Sequence, residues 1–326
     1  MIKIGMISYW HVHAWDYTKQ AQETAGTQIT AVWDEIEARG REAAEKLGVP
    51  YFSNLDDMLS SDLVDAVIVD APTNRHEEVI VKAAKAGKHI FTEKVIAPTT
   101  DEVTRILAAV DSAGVKLTVS LPRLNDGYTL AIRSVLEQRQ LGQITLVRVR
   151  LSHNGATANW LPEHFYNMEQ CGGGAMIDLG CHPMYLTALF MGSLPESVRS
   201  TYGYVTGKEV EDNAVAILQG ADGAIGIVEA GFVNPHSPFT IEVHGTEGTL
   251  LYGSPDAKLL VRANGDDMWN EVAIPANRES AFEQWVSHVT NGTSADENIR
   301  IARELTLLME TSNRSAREGK AILLAE

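Results

Sequence analysis

Residues 4–17 read IGMISYWHVHAWDY, a short apolar stretch that leads directly into an amphipathic helical pattern. A strand followed at once by a helix is where dinucleotide-binding folds place the glycine-rich loop G-x-G-x-x-G. Here the three glycine positions are occupied by Ser8, Trp10 and His13. The segment therefore predicts a nucleotide-binding type of fold and leaves three possibilities open: the cofactor binds in another way, it has been lost, or the fold serves another purpose.

The first 120 residues alternate between short apolar runs and helical patterns. The apolar runs suit strands buried on both faces, and they read KIGMIS, QITAVWD, DAVIVDAP, KHIFTEK and KLTVSLP. The helical patterns between them cover about 13–25, 37–47, 54–61, 75–86 and 100–113. This alternation predicts an α/β domain over residues 1–120, with a doubly wound parallel sheet.

The pattern changes after residue 120. Helical patterns at about 126–139 and 175–190 precede a region from about 196 to 274 in which strands are separated by turn sequences such as ADG and GTEG. Two more helices, at about 279–290 and 296–318, follow. Residues 121–326 are therefore predicted to form an α+β domain with a large open, mostly antiparallel sheet.

Composition and charge limit the class of protein. A net charge of −16 over 326 residues argues against nucleic acid or an anionic membrane as a partner, because both require positive potential. The sequence contains neither an 18-residue apolar run nor a typical secretory leader, which predicts a soluble, cytoplasmic protein. Cys171 and Cys181 form no disulfide framework and no metal-binding spacing, so both are expected to be reduced and structural.

An acid follows the second predicted strand. In dinucleotide-binding folds, an acid in the position of Asp34 accepts hydrogen bonds from the ribose hydroxyls and repels a 2′-phosphate. Asp34 would equally serve as the N-cap of the helix at 37–47. If the chain binds a dinucleotide, Asp34 favours NAD over NADP, with the preference reduced by the nearby Arg39.

The motif APTNRHEE follows the third long strand. Pro72 rigidifies the chain where the strand ends, and Asn74 is placed to cap the next helix. Capping and solvent exposure would explain Asn74 and His76 without any ligand. The motif by itself is weak evidence of a binding site.

The motif FTEKVIAP places Glu93 and Lys94 at the carboxyl end of the fourth long strand. Ligands of open α/β sheets bind beyond these strand ends, so Lys94 is expected to face the binding crevice. A partly desolvated lysine beside a cationic nicotinamide would exchange protons near neutral pH. The alternative is an ordinary surface pair of Glu and Lys.

The segment CGGGAMIDLGCHPM is the most specific stretch of the second half. Asp178 and His182 are spaced i, i+4 and would project from one face of a single helix. A carboxylate beside an imidazole can orient it and support it as a general base. The alternative is a flexible loop followed by an ordinary acid–histidine pair.

The other histidines of these segments are candidate ligands. His11 and His13 do not share a helix face, and no neighbouring Cys or carboxylate in the sequence completes a metal set, so no metal site is predicted. Ligand contact or packing at the helix start is expected of both. Side chains suited to sugar hydroxyls and to stacking on a sugar face are candidates for substrate contact: Arg123, His153, Trp160 and His164. Packing and surface positions would explain these residues equally well.

Taken together, these motifs resemble the glucose–fructose oxidoreductase/inositol dehydrogenase (Gfo/Idh/MocA) family over essentially the whole chain. The resemblance rests on the order Asp34, PTNRH, TEKV, GGGAMIDLGCH, HGTEGTL and RSAREGKAI. It implies a Rossmann-type first domain, a nicotinamide cofactor, and homodimers or homotetramers built through the sheet of the second domain. It also implies a catalytic set of Lys94, Asp178 and His182, and cofactor contacts at Asp34, Pro72, Asn74, His76, Glu93 and Lys94.

The sequence departs from the family pattern in three places. The glycines of the phosphate loop are replaced. Val95 stands where the E-K-P motif of the family has proline, and Tyr185 stands where the family often has an acid, three residues after the catalytic histidine. We hypothesise that a dinucleotide still binds, with its pyrophosphate shifted, with the Trp10 side chain turned away, and with donors from Ser8, His11 and His13.

The resemblance implies hydride transfer between NAD and a secondary alcohol of a sugar, inositol or related polyol. In the scheme that it implies, His182 takes the hydroxyl proton, Asp178 orients the substrate and the imidazole, and Lys94 contacts the same oxygen. The sequence leaves open whether Lys94 and His182 exchange these roles. Two alternatives remain: a glycosidase that cycles bound NAD, and a sugar-binding regulatory protein without cofactor.

Overall fold

The computed structural model describes residues 1–253 and 256–324. Contacts divide the chain into two units, Met1–Leu121 with Glu279–Thr306, and Pro122–Arg278 with Leu307–Glu326. The expected division into residues 1–120 and 121–326 therefore needs a correction, because a segment near the C-terminus packs with the first unit. The physical reason is apolar burial: Phe282 and Trp285 are fully buried among the core residues of the first unit.

The first unit alternates strands with helices as the sequence predicts. Its strands up to residue 121 are β1 Ile2–Ile7, β2 Thr27–Trp33, β3 Tyr51–Phe52, β4 Ala66–Val69, β5 His89–Thr92 and β6 Leu117–Val119. The helices between them are α1 Ala14–Glu23, α2 Glu37–Leu47, α3 Leu55–Ser60, α4 His76–Lys85 and α5 Thr100–Ala113. Gly48 and Gly114 end α2 and α5 in the left-handed conformation, as expected of helix C-caps.

The described strands of the first unit form one parallel sheet in the order β3-β2-β1-β4-β5-β6. The chain order reverses direction between β1 and β4, which is the switch point where such sheets bind ligands. The two-residue strand β3 is the element that the sequence did not indicate. Aromatic contacts close the core, with the Phe91 ring 5.2 Å from Tyr17 and 5.3 Å from Phe282.

The second unit is built on a larger sheet. Its described strands are β7 Ile144–Ser152, β8 Ser197–Gly203, β9 Asn213–Gln219, β10 Ile225–Gly231, β11 Thr240–Gly245, β12 Gly248–Gly253, β13 Lys258–Ala263, β14 Asn270–Val272 and β15 Ile322–Leu323. Its helices are α6 Gly127–Glu137, α7 Met168–Cys171, α8 Ala175–Asp178 and α9 Cys181–Met191. Two more helices follow along the chain, α10 Ala281–Asn291 and α11 Asp296–Glu318.

The described strands of this sheet run in the order β14-β13-β12-β11-β7-β10-β9-β8-β15. Neighbours are antiparallel except for β7 and β10. Along β9, exposed and buried residues alternate strictly, so one face of the sheet is covered and the other is open. The predicted fold class, a parallel Rossmann-type sheet followed by an α+β domain with a mostly antiparallel sheet, is confirmed.

The predicted helix over 175–190 is divided into α8 and α9, so the single helix was wrong. Pro183 lacks the N–H that would bond to the carbonyl of Leu179, and its ring would clash with that carbonyl in a continuous helix. The chain tightens there, with the His182 N–H donating to the Leu179 carbonyl at 3.1 Å. Asp178 therefore ends α8, and His182 lies in the first turn of α9.

Among the described residues, no helix combines the length and the apolar character needed to cross a membrane.

Candidate functional site

The turn after β1 keeps a glycine-like backbone without glycine. Ser8 has φ 71°, in the left-handed region, and its side chain is fully buried. Its hydroxyl oxygen accepts the Trp10 N–H at 3.1 Å, while the Tyr9 N–H donates to Asp34 at 2.8 Å. The turn is thus held by side-chain acceptors that belong to the chain itself.

Asp34 lies at the end of β2, as predicted, but its carboxylate is already engaged. Arg39 donates to both oxygens at 2.8 Å, and the Ile36 N–H donates to Oδ1 at 2.7 Å. Arg39 also reaches Ser8 Oγ at 3.2 Å. Burial lowers the pKa of the Arg39 guanidinium, but its bonds to Asp34 outweigh this effect and raise it. A ribose that binds to Asp34 would therefore share it with a fixed positive charge.

The histidines of the turn lie near Glu93, which comes from the end of β5. His13 Nδ1 is 3.3 Å and His11 Nδ1 is 4.0 Å from Glu93 Oε2. The argument that no carboxylate accompanies these histidines was therefore wrong, because Glu93 is remote in sequence and near in space. Trp10 and His11 are buried, and the His13 side chain is 40% exposed.

The backbone donors of the turn are mostly used within the chain. Besides Tyr9 and Trp10, the His11 N–H donates to the Asp70 carbonyl at 3.2 Å and the His13 N–H donates to His11 Nδ1 at 3.2 Å. A glycine-rich loop instead presents its N–H groups to a pyrophosphate. The turn fits a dinucleotide in its backbone shape and in Asp34, while these four N–H groups are occupied.

His76, the last residue of the APTNRH motif, has a structural role. Both ring nitrogens of His76 lie within hydrogen-bonding distance of carbonyl oxygens, at 3.0 Å from Ala71 and 2.9 Å from Val95. His76 is buried, contrary to the exposed position considered for it, and it ties this motif to the loop that follows β5. Pro72 is buried, and Asn74 lies exposed in a 3-10 turn and does not cap α4, since the residue before α4, Arg75, makes no side-chain cap bond.

Glu93 and Lys94 are both almost fully buried, so the surface-pair alternative was wrong. Lys94 Nζ lies 3.7 Å from Glu93 Oε1, and the Tyr17 hydroxyl donates to Oε2. Burial raises the pKa of the Glu93 carboxyl, but the charges of His11, His13 and Lys94 outweigh burial and hold that pKa below its usual range. The peptide bond between Lys94 and Val95 is cis.

Asp70, at the end of β4, was missed. Its carboxyl is fully buried, and neither oxygen has a hydrogen-bond donor among the described residues. Burial, with the charges of Glu93 and Asp16, raises the pKa of Asp70 well above its usual range. The signal was present in the sequence, since an acid interrupts the apolar run VIVDAP at a strand end.

In the second unit, His182 is buried and its Nδ1 lies 3.2 Å from the Tyr185 hydroxyl. That hydroxyl also accepts the Arg123 N–H at 3.2 Å. Tyr185, which replaces the acid common in the family, therefore orients the imidazole from within α9. Asp178 at the end of α8 is half-buried.

A second missed residue, Glu211, holds the glycine segment in place. Its two carboxylate oxygens accept the N–H groups of Gly174 and Met176, each at 2.9 Å, and its carbonyl accepts the Ala175 N–H at 2.8 Å. A Cβ on Gly174 would lie 2.1 Å from the Glu211 carbonyl oxygen, so glycine is required there for space. Glu211 thereby anchors α8, which carries Asp178.

The substrate candidates form two aromatic groups within the second unit. His153 stacks on Phe232 at 5.1 Å and packs against the half-exposed Trp160 at 4.5 Å. Burial lowers the pKa of His153, and the charge of Asp178 opposes the shift, so the two residues are coupled electrostatically. The Arg123 guanidinium lies 4.4 Å above the Phe239 ring.

His164 is half-buried beside Phe165. The roles of these four substrate candidates stay predictions.

Comparison with known families accounts for both units. The model described as an oxidoreductase family with an NAD-binding Rossmann fold matches residues 1–121, and that of the GFO/IDH/MocA C-terminal domain matches residues 129–251. The chain belongs to the GFO/IDH/MocA oxidoreductase family. The resemblance inferred from the motifs and the expected enzyme class, an NAD(P)-dependent oxidoreductase, are thereby confirmed.

Individual relatives are distant. The chain is 26% identical to 1,5-anhydro-D-fructose reductase of Ensifer adhaerens, with 71% of this chain and 70% of that protein covered. It is 25% identical to scyllo-inositol 2-dehydrogenase (NAD(+)) of Bacillus subtilis, with 78% and 73% covered. The structure of an NAD-binding protein from Listeria innocua has the same fold, with a TM-score of 0.85 at 22% identity, covering 99% of this chain and 96% of that one.

Proposed function

We propose that this protein transfers a hydride between NAD and a secondary alcohol of a sugar, inositol or related polyol. The observation that carries the proposal is Lys94, a buried lysine at the carboxyl end of β5 in a sheet of Rossmann order. Related proteins with 25–26% identity are named as a sugar-type reductase and an inositol dehydrogenase, which supports this substrate class.

The catalytic set in this proposal is Lys94, Asp178 and His182. Bound NAD would accept the hydride from the carbinol carbon. His182, oriented by the Tyr185 hydroxyl, takes the proton of the substrate hydroxyl, and Lys94 donates a hydrogen bond to the oxygen as it becomes a carbonyl. Lys94 and His182 can exchange these two parts, and the pH–rate profiles of Lys94→Met and His182→Asn distinguish the assignments.

NAD is proposed in preference to NADP because Asp34 disfavours a 2′-phosphate. Arg39 would favour that phosphate, but its guanidinium is committed to Asp34. Calorimetric titration should therefore show NAD binding about tenfold or more tightly than NADP, equivalent to roughly 1.4 kcal/mol. Tighter NADP binding would show that Arg39 outweighs Asp34.

The chemistry is tested by Lys94→Met. We expect turnover of the best substrate from a panel of inositols and sugars to fall by about 10²–10⁴-fold while NAD binding persists. Exposed Lys19→Met on α1 is the matched control and should change neither quantity. Full turnover by Lys94→Met would refute the catalytic assignment.

A sugar-binding protein without cofactor is the second candidate, favoured by the occupied N–H groups of Tyr9, Trp10, His11 and His13. A folded protein, cleared of cofactor, that bound neither dinucleotide but bound a sugar would support it. NAD retained through purification, with release of a nitrophenol from a nitrophenyl glycoside, would instead indicate the NAD-cycling glycosidase.

We also propose that the open face of the second sheet pairs copies of the chain. Val215, Ile217 and Ile225 are exposed on this face, beside the ion pair of Arg148 and Glu229. Ile217→Asp should lower the molar mass measured by light scattering, and the exposed turn variant Asn264→Asp should not. An unchanged mass for Ile217→Asp would exclude this face.

A further inference from the structure

The first turn and the end of β5 bring together three metal-type ligands. His11, His13 and Glu93 each offer one ligand atom, and these atoms all lie within 4.8 Å of one another. His11 and Glu93 are buried, and the His13 side chain opens to solvent on one side. The cluster therefore combines fixed ligands with a route of entry.

The distances suit a small divalent ion. Ligand atoms around a tetrahedral zinc ion lie roughly 3.4 Å apart when the bonds are about 2.0–2.2 Å. Glu93 Oε2 is 3.3 Å from His13 Nδ1 and 4.0 Å from His11 Nδ1, so small side-chain shifts reach this geometry. A set of two imidazoles and one carboxylate is typical of zinc sites that keep an open coordination position.

The state of the ligands also suits a metal ion. The His13 N–H lies 3.2 Å from His11 Nδ1, so this nitrogen is an acceptor when the imidazole is neutral. A metal ion requires that form of imidazole and would replace this long hydrogen bond. The Tyr17 hydroxyl donates to Glu93, as outer groups commonly do to a metal-binding carboxylate.

A second, independent observation points to a cation. The Asp70 carboxyl is fully buried beside the turn, its carbonyl accepts the His11 N–H, and neither carboxyl oxygen has a donor among the described residues. A buried polar group in this state calls for a compensating partner. Glu93 supplies the negative charge of the cluster, and its other oxygen, Oε1, lies 3.7 Å from Lys94 Nζ.

We propose that His11, His13 and Glu93 form a binding site for a divalent transition-metal ion of the zinc class. The ion joins the turn after β1 to the end of β5 and keeps one coordination position toward solvent beside His13. The same three side chains are expected to contact a dinucleotide, so the ion and a dinucleotide would meet at this turn, and the metal site is argued from the ligand geometry alone.

The test is zinc titration of the full chain after treatment with a chelator, in a buffer that does not coordinate metal. We expect one ion per chain, and at least about 100-fold weaker binding in His13→Gln, since even outer groups change metal affinity by 10–100-fold. His13 is half-exposed, so this variant should keep the fold, which circular dichroism and the melting temperature verify. His11→Asn and Glu93→Gln should weaken binding in the same way.

The matched control is His244→Gln, because His244 lies 3.7 Å from Glu242 and is the kind of surface pair that binds zinc adventitiously. Its affinity should equal that of the parent protein. Cobalt gives an independent readout without a variant, since visible bands of four- or five-coordinate cobalt should appear at one equivalent. No binding by the parent protein, or a folded His13→Gln that binds equally well, would overturn the proposal.

Discussion

The turn at residues 8–13 and the segment at residues 172–182 meet the demand for glycine in opposite ways. The turn has no glycine, and its one left-handed residue is Ser8, braced by Arg39 and the Trp10 N–H. The segment keeps Gly174 because the Glu211 carbonyl leaves no room for a Cβ. A conformational requirement for glycine can be met by another residue at a modest cost, whereas a requirement for space cannot.

The largest expected effect tests the requirement for space. Gly174→Ala should lower the free energy of unfolding by about 3 kcal/mol or more, because the new methyl group overlaps a backbone carbonyl. Gly172→Ala is the matched control: its φ is 76° but no atom lies within 4 Å of the added Cβ. It should cost only about 1 kcal/mol. Urea unfolding measures both, and equal costs would break the comparison.

Asp34→Asn tests how the turn is held without glycine. The change removes the charge that binds Arg39 and weakens an acceptor of two N–H groups, so we expect a loss of about 2 kcal/mol. The exposed Asp57→Asn on α3 should change stability by only a few tenths of a kcal/mol. A stable Asp34→Asn would mean that the turn does not depend on this carboxylate.

Glu211→Gln tests the anchor of the segment. Each carboxylate oxygen accepts one N–H, and the amide group of glutamine can accept only one of the two. We expect a loss of about 1–2 kcal/mol, with little change in the exposed Glu209→Gln. Thermal unfolding of the pair measures the difference, and equal melting temperatures would remove Glu211 from the account of α8.

The smallest effect compares Ser8→Gly with Ser8→Ala. Both lose the hydroxyl, so the difference between them reports the cost of a left-handed backbone. The glycine variant should be more stable by about 1 kcal/mol. An alanine variant of equal or higher stability would place residue 8 outside the left-handed region in solution.

The fold was predictable from particular stretches because their periods are local. Apolar runs such as DAVIVDAP and KHIFTEK indicate buried strands, and turn sequences such as ADG and GTEG between short strands indicate a mostly antiparallel sheet. The division at residue 120 was less accurate, since the packing of Phe282 and Trp285 against the first unit leaves no mark in local sequence. Pro183 did carry a local signal that α8 and α9 are separate, and the i, i+4 spacing of Asp178 and His182 obscured it.

The sequence indicated the candidate site residues that follow strand ends. It did not indicate which other side chains those residues contact. Lys94, Asp34 and His182 are predicted from their positions in motifs, and the structure buries all three. The carboxylate that accompanies His11 and His13 was missed because Glu93 is 80 residues from His13 along the chain. Glu211 was missed for the same reason, since the N–H groups that it accepts lie 35 and 37 residues earlier in the chain. Asp70 was missed although an acid interrupts its apolar run.

By itself, the sequence determined the order of the elements and the two types of sheet, because these depend on periodicity along the chain, and the resemblance of its motifs indicated the family. Only the tertiary structure decided that Arg39 binds the Asp34 carboxylate, that the Tyr185 hydroxyl orients His182, and that the Glu93 carboxylate lies beside the two histidines of the first turn. The reason is that the direction of each side chain depends on the folded backbone even for partners three to five residues apart. Glu93 and His13, which are distant in sequence, meet only when the sheet has formed.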